Sequence, residues 1–194
     1  MQTFDQSCVD DEINYYLSHL SPTEASNEKR YFITEFLNRL LSAQLGEMKL
    51  VVCGSTALKS YLAESDLDLM ILSPSIQVLS DEMKLLVNCF SSLCQEIYAK
   101  EEGKSKNQEL IIRNVELINA RTKLIHCFVN NIGVDITFNQ FGAITTLVFL
   151  EEADRLIGCD HLLKRSLLLI KVNFYFVLNQ ILDIILGDNF IYHF

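Results

Sequence analysis

Three acidic residues and one Gly-Ser pair carry most of the chemistry this sequence could perform. Asp66 and Asp68 flank Leu67 in the apolar stretch SDLDLMIL, and Asp135 sits in a second such stretch, GVDITF. Alternate side chains of a strand point to opposite faces, so Asp66 and Asp68 project from one face while Leu67 and Leu69 take the other. Two carboxylates on one face are hard oxygen donors suited to a divalent cation such as Mg²⁺ or Mn²⁺. A carboxylate buried in a strand is costly unless it is paired or bound to metal, which makes Asp135 the candidate third ligand. The run Val51-Val52-Cys53 before Gly54-Ser55 reads as a strand that breaks into a short helix over residues 56–62. Gly54 permits a sharp turn and close approach of a ligand to the backbone. The helix start offers free N–H groups to a polyphosphate, and Ser55 adds a hydroxyl.

Taken singly these features discriminate little. A Gly-Ser after a strand is a common turn, and an Asp-x-Asp also occurs at solvated strand ends. Their order is more informative: Gly54-Ser55 ends a strand, ten residues intervene, Asp66-Leu67-Asp68 lies on the next strand, and a third aspartate lies on a later one. The histidines add no metal cluster, since His19, His126, His161 and His193 lie far apart and form no HxxxH pair. His126, between Leu124 and Phe128 on one strand face, reads as a hydrogen-bonded interior histidine rather than a catalyst.

The elements that must position these groups follow from periodicity. Residues 1–20 are helix-like, with Ile13, Tyr16, Leu17 and Leu20 on one face, and Ser21-Pro22-Thr23-Glu24 turns into a second helix reaching about Gly46. That helix carries a core stripe of Tyr31, Phe32, Phe36, Leu37, Leu40 and Leu41. Strands are expected over 49–53 and 66–72, the latter stopped by Ser73-Pro74-Ser75. A third helix is expected over 80–98, capped by Ser80, and a charged loop over 100–108. Strands over 110–118, 123–129 and 133–138 follow, the last two joined by a hairpin at Asn130-Asn131-Ile132-Gly133. From Ala143 onward the pattern is helical, over 145–158 and 161–187, with Glu151, Glu152, Asp154 and Arg155 on a wet face.

Composition bounds the function. The 194 residues are 49% hydrophobic with only two prolines, a globular balance. A net charge of −9 disfavours a broad basic grip on nucleic acid, so any such contact must be local. The six cysteines include no CxxC pair, and Cys53 and Cys127 sit in apolar runs where thiols behave as small hydrophobes. With no secretory leader and an acidic N-terminus unlike a transit peptide, the expectation is a reducing intracellular compartment, cytoplasmic or nuclear. The run 167–186 approaches membrane-span length, but Lys171, Asn173, Asn179, Gln180 and Asp183 interrupt it. It is expected to be buried or to face a protein partner, not to enter a membrane.

The run Leu50-Val51-Val52-Cys53-Gly54-Ser55 followed by Ser65-Asp66-Leu67-Asp68-Leu69 resembles the signature of the DNA polymerase β-type nucleotidyltransferase superfamily, and within it the poly(A) and terminal uridylyl polymerases. Asp135 matches the third metal-binding aspartate of that family, and residues 154–171 resemble its central-domain helices. The resemblance implies an α+β fold: a nucleotidyltransferase palm, a mixed sheet flanked by helices, followed by the start of a helical central domain. It divides the chain into an N-terminal helical segment (1–24), a palm (25–140) and a partial central domain with a divergent tail (141–194). It implies transfer of a nucleoside monophosphate from an NTP to an RNA 3′ end, with Mg²⁺ or Mn²⁺ held by Asp66, Asp68 and Asp135. The NTP would meet Gly54, Ser55, Lys171 and Thr146. Lys171 is accounted for equally well as a lysine snorkelling from an apolar helix. Asn173 stands where the family usually has Trp, and residues 173–194 do not resemble it. Two other functions use the same residues: a non-catalytic palm acting as an interaction module, and nucleotidyl transfer to a small molecule or protein.

Overall fold

Apolar residues at every second strand position, and at three- to four-residue steps in the second helix, meet in one layer between that helix and a mixed sheet. In the computed structural model, which describes residues 6–45, 48–73, 84, 87, 88, 91, 92, 110–119 and 121–186, the elements are α1 (Gln6–Leu20), α2 (Glu24–Leu45), β1 (Lys49–Val52), α3 (Gly54–Leu58), β2 (Leu67–Leu72), β3 (Ile112–Asn119), β4 (Lys123–Val129), β5 (Ile132–Phe138), α4 (Phe141–Ile157) and α5 (Leu162–Leu186). The five strands run in the order β1-β2-β5-β4-β3. β2 and β5 are parallel and every other neighbouring pair is antiparallel. The fold is therefore α+β, a mixed sheet with flanking helices.

The core is the layer under α2. Ile33, Leu37 and Leu41 of that helix pack with Leu67, Leu69 and Ile71 of β2, Ile125, Cys127 and Val129 of β4, and Val134, Ile136 and Phe138 of β5. All are buried, so the opposite strand face, which bears Asp68, His126 and Asp135, is free to line a site. The expected stripe of α2 holds in part: Leu37 and Leu41 are buried and Phe36 and Leu40 pack against the core, while Tyr31 and Phe32 are exposed and Arg30, Ile33 and Thr34 turn inward instead. Tyr16 of α1 is likewise exposed, while Leu17 is buried.

Other boundaries differ for identifiable reasons. Thr23 Oγ1 accepts from Ser26 N at 3.1 Å and so caps α2. The helix after β1 starts at Gly54, not Thr56, and stops at Leu58 because Lys59 adopts a left-handed conformation. Asp66 lies one residue before β2 rather than in it. The β4–β5 turn is the two-residue Asn130-Asn131, both at positive φ (48° and 64°), which leaves Gly133 inside β5. The helix expected from Thr145 begins at Phe141. The helix expected over 80–98 falls largely outside the described residues, although Lys84, Val87, Asn88, Ser91 and Ser92 are helical. The charged run 100–108 lies outside them altogether, as do residues 187–194.

Asp154 is not on a wet face. It is 2% exposed, its Oδ2 accepts from His161 Nδ1 at 2.7 Å, and its Oδ1 accepts from Lys164 N at 3.3 Å near the start of α5. This carboxylate ties α4 to α5 across the turn at 158–161, whose four residues all have positive φ. α5 returns to pack on α1, and α4 packs on α3. No helix among the described residues is long and apolar enough to cross a membrane.

Arg30 holds the site loops to this frame. Its side chain is 1% exposed and donates to Thr56 Oγ1 of α3 (3.3 Å) and to Ser65 O (2.5 Å), with Tyr61 beneath its guanidinium at 4.2 Å. One buried cation thus connects α2, α3 and the residue before Asp66. Replacing it removes the donors and strands the buried acceptors. Arg30→Met is expected to cost about 2–4 kcal/mol of unfolding free energy in urea denaturation; a variant as stable as the parent contradicts this role.

Candidate active site

Parallel pairing of β2 with β5 sets Asp68 directly beside Asp135. Asp66 enters from the loop end of β2, against β5 at Gly133. Each of the first two carboxylates occupies space that only a glycine leaves open. A Cβ at Gly54 would come within 2.8 Å of the Asp68 carboxyl carbon, and one at Gly133 within 2.9 Å of that of Asp66. Gly54 is doubly constrained, because its φ of +58° is also left-handed. Glycine inside a strand marks close approach of another group. Gly133 therefore belongs to the site and not to the expected turn, and its position two residues before Asp135 is the signal for it in the sequence.

The carboxylates crowd one another. Burial pushes Asp66 above the usual carboxylate range and the Asp135 charge pushes it further, while His126 and Arg30 pull the other way. Burial likewise raises Asp68, reinforced by Asp135 and then Asp66, and opposed by Lys171 and Arg30. Asp135 has a partner of its own: His126, its register neighbour on β4, lies with Nδ1 2.6 Å from Oδ1. Among the described residues no group of three or more His, Cys, Asp and Glu is arranged to hold a metal ion as it stands.

Beside this cluster lies a cleft of about 430 Å³, within the size range of small-ligand sites. Gly54 and Ser55 of α3, Gly142, Ala143, Thr146 and Leu147 of α4, and Lys171 of α5 line it. The four residues expected to meet a nucleotide are therefore brought to one cavity, contiguous with the aspartates through Gly54. Lys171 Nζ donates to Ser60 O at 2.6 Å, so its ammonium is directed into the molecule and not to the surface. Burial lowers its pKa, and Asp68 opposes that shift. Arg30, whose buried Nε lacks a hydrogen-bond partner, and Ser60 also belong to the site's surroundings. Neither is visible in a motif, since their partners are distant in sequence.

The same sheet and helices recur in solved structures of Cid1. The chain superposes on a Cid1 structure described for its RNA terminal uridylyl transferase activity with a TM-score of 0.61 and 22% identity, covering 83% of this chain and 45% of that one. A Cid1 poly(U) polymerase crystal structure gives a TM-score of 0.63 at 19% identity, covering 87% and 47%. The chain thus shares the fold of these structures, a mixed sheet with flanking helices.

Residues 9–150 match the family model described as the central palm domain of poly(A) RNA polymerase, mitochondrial-like, and the chain belongs to that family. The poly(A) RNA polymerase CID14 of Cryptococcus neoformans is 32% identical over 139 residues, covering 70% of this chain and 16% of its own length. Poly(A) RNA polymerase cid14 of Schizosaccharomyces pombe is 27% identical over 135 residues, covering 70% and 18%. The chain spans less than a fifth of the length of these relatives.

An aspartate whose folded pKa is raised costs stability once ionised. The cost is absent below the unfolded value of about 3.9, grows as pH rises through the raised value, and persists above it. Asp68→Asn removes that cost from the metal-free protein. Its thermal midpoint at about pH 7.5 is expected to exceed the parent's by roughly 2–4 °C, with the gap closing as pH falls toward about 4. Scanning calorimetry in EDTA measures both; an equal or lower midpoint at neutral pH contradicts the crowding.

Proposed function

We propose that this palm serves a template-independent RNA nucleotidyltransferase, joining a nucleoside monophosphate from an NTP to an RNA 3′-hydroxyl. The observation that carries this reading is the in-register pair Asp68 and Asp135 beside a cleft whose wall begins at Gly54. Three crowded carboxylates, of which Asp66 and Asp68 have a raised affinity for protons, are a donor set that a divalent cation would relieve. Their all-oxygen chemistry fits Mg²⁺ or Mn²⁺. Held by Asp66, Asp68 and Asp135, such ions would supply Lewis-acid stabilisation of the phosphate charge and activation of the attacking hydroxyl.

The chain's own residues do the positioning. Gly54 leaves backbone and space free for the triphosphate, Ser55 offers a hydroxyl, and Lys171 contributes a cation to the cleft. Thr146 of α4 also lines the cleft, where the nucleoside would lie. Asp135, at the outer side of the cluster, faces the acceptor. The acceptor oxygen forms a bond to the α-phosphorus as the α–β bridging bond breaks. That electron pair leaves with pyrophosphate, and the hydroxyl proton departs by way of Asp135. Both curated relatives are named poly(A) RNA polymerases, which supports RNA as the acceptor. The charge of −9 favours a grip confined to the 3′ end over a long basic track.

A second reading is a palm that works only with a partner. The exposed Val148, Phe149 and Leu156 of α4 and Ile170, Phe174 and Val177 of α5 favour it. One experiment separates the readings: a labelled RNA primer with each NTP in turn, in Mg²⁺ or Mn²⁺, alongside binding of Mn²⁺–NTP. The first reading predicts extension, lost more than about a hundredfold in Asp66→Ala or Asp68→Ala with the fold retained. Binding without extension supports the second. Folded protein that neither extends nor binds, or an aspartate variant with full turnover, contradicts the assignment of the site.

A further inference from the structure

We propose that His126 is a positioning residue for the third carboxylate: its ring holds Asp135 so that one oxygen is engaged by the protein and the other is presented to the site. The inference rests on the proposed metal site and adds to it a residue that no catalytic motif contains.

Four observations fix the arrangement. His126 and Asp135 are directly opposed in the antiparallel β4–β5 ladder, so their side chains leave the same sheet face. Nδ1 lies 2.6 Å from Oδ1, and since a carboxylate only accepts, Nδ1 carries the proton and donates. The imidazole is itself held, with Phe128 edge-on at 5.1 Å and 90°. Both members of the pair are about three-quarters buried, which restricts the rotamers open to either. Phe128 thus steadies His126, and His126 steadies Asp135. Among the described residues, the other titratable groups near the ring are the exposed Glu116, its register partner on β3, and Asp66, which interacts with it electrostatically.

Asp135 needs such a restraint more than its neighbours do. Asp66 and Asp68 are confined by Gly133 and Gly54 respectively, each against a backbone surface. Asp135, facing two carboxylates from the β2 side, would turn away from them in the absence of cation if nothing held it. A hydrogen bond to one oxygen preserves the carboxylate's negative charge and orients its second oxygen, which is the general task of groups that support metal ligands.

The test uses three variants and a readout that does not need turnover, Mn²⁺ titration followed by electron paramagnetic resonance. His126→Leu removes the donor. His126→Asn places an amide N–H near the position of Nδ1, whereas His126→Gln carries its amide beyond it. Loss of about 10- to 100-fold in Mn²⁺ affinity is expected for the Leu and Gln variants, with the Asn variant restored to within a fewfold of the parent. In primer extension the same loss should fall on kcat and metal dependence and leave the KM for NTP nearly unchanged. Should His126→Leu fail to fold, the Asn–Gln contrast decides, because a merely structural polar contact would respond alike to both. Parent-like Mn²⁺ affinity in His126→Leu, or equal affinities in Asn and Gln, overturns the proposal. Asp68→Asn separates this failure from that of the site itself: if it too leaves Mn²⁺ binding unchanged, the metal site is wrong, and if it abolishes binding while His126→Leu does not, only the role of His126 is.

Discussion

Like charges resist being gathered, and the site is shaped by what it takes to gather three. Asp66, Asp68 and Asp135 meet on one sheet face, where burial and mutual repulsion drive the first two toward protonation. The surroundings answer with two cations placed one step away, Arg30 beneath the loop and Lys171 lining the cleft, and with the His126 ring hydrogen-bonded to Asp135. None of these neutralises the cluster outright, which leaves an electrostatic demand that a divalent cation, under the proposed function, would meet.

The fold follows from this demand. Here Asp68 is brought beside Asp135 in register by parallel strands, and a parallel pair requires a long crossover. The chain places residues 73–131, including β3 and β4, in that interval, so the hairpin that carries His126 is delivered to the outer side of Asp135. On the other flank, β1 ends at Val52 and, one residue on, Gly54 begins α3 directly against Asp68. The apolar layer under α2 then holds the sheet, while Arg30 of the same helix reaches past that layer to fix α3 and Ser65.

Much of the site is legible in the sequence. The Asp66-x-Asp68 spacing and the Gly-Ser at a strand end point to residues the fold does bring together, although Asp66 sits in the loop one residue before β2 and not in the strand alternation. What escapes a reading of the residues depends on partners distant along the chain. Gly133 looks like part of a turn, yet Asn130 and Asn131 complete the hairpin by themselves, a distinction that only their positive φ angles reveal. Arg30 is hidden in an apolar helix whose hydrophobic stripe is offset by one position from the aromatic pair Tyr31-Phe32. The pattern around His126 does indicate a hydrogen-bonded ring, but it cannot name Asp135 as the partner, because that follows from a two-residue turn setting the β4–β5 register. Asp154 looks solvated for the same reason, its partners lying across a turn with four residues at positive φ.

The central claim is that these three aspartates form one cation-and-triphosphate site with the Gly54-Ser55 wall. Crystals grown with Mn²⁺ and a non-hydrolysable NTP analogue test it directly through anomalous scattering at the manganese edge. The account predicts anomalous density bounded by Asp66, Asp68 and Asp135, with the triphosphate along Gly54 and Ser55. Nucleotide seated elsewhere, or manganese absent from between these carboxylates while the analogue is bound, would contradict it.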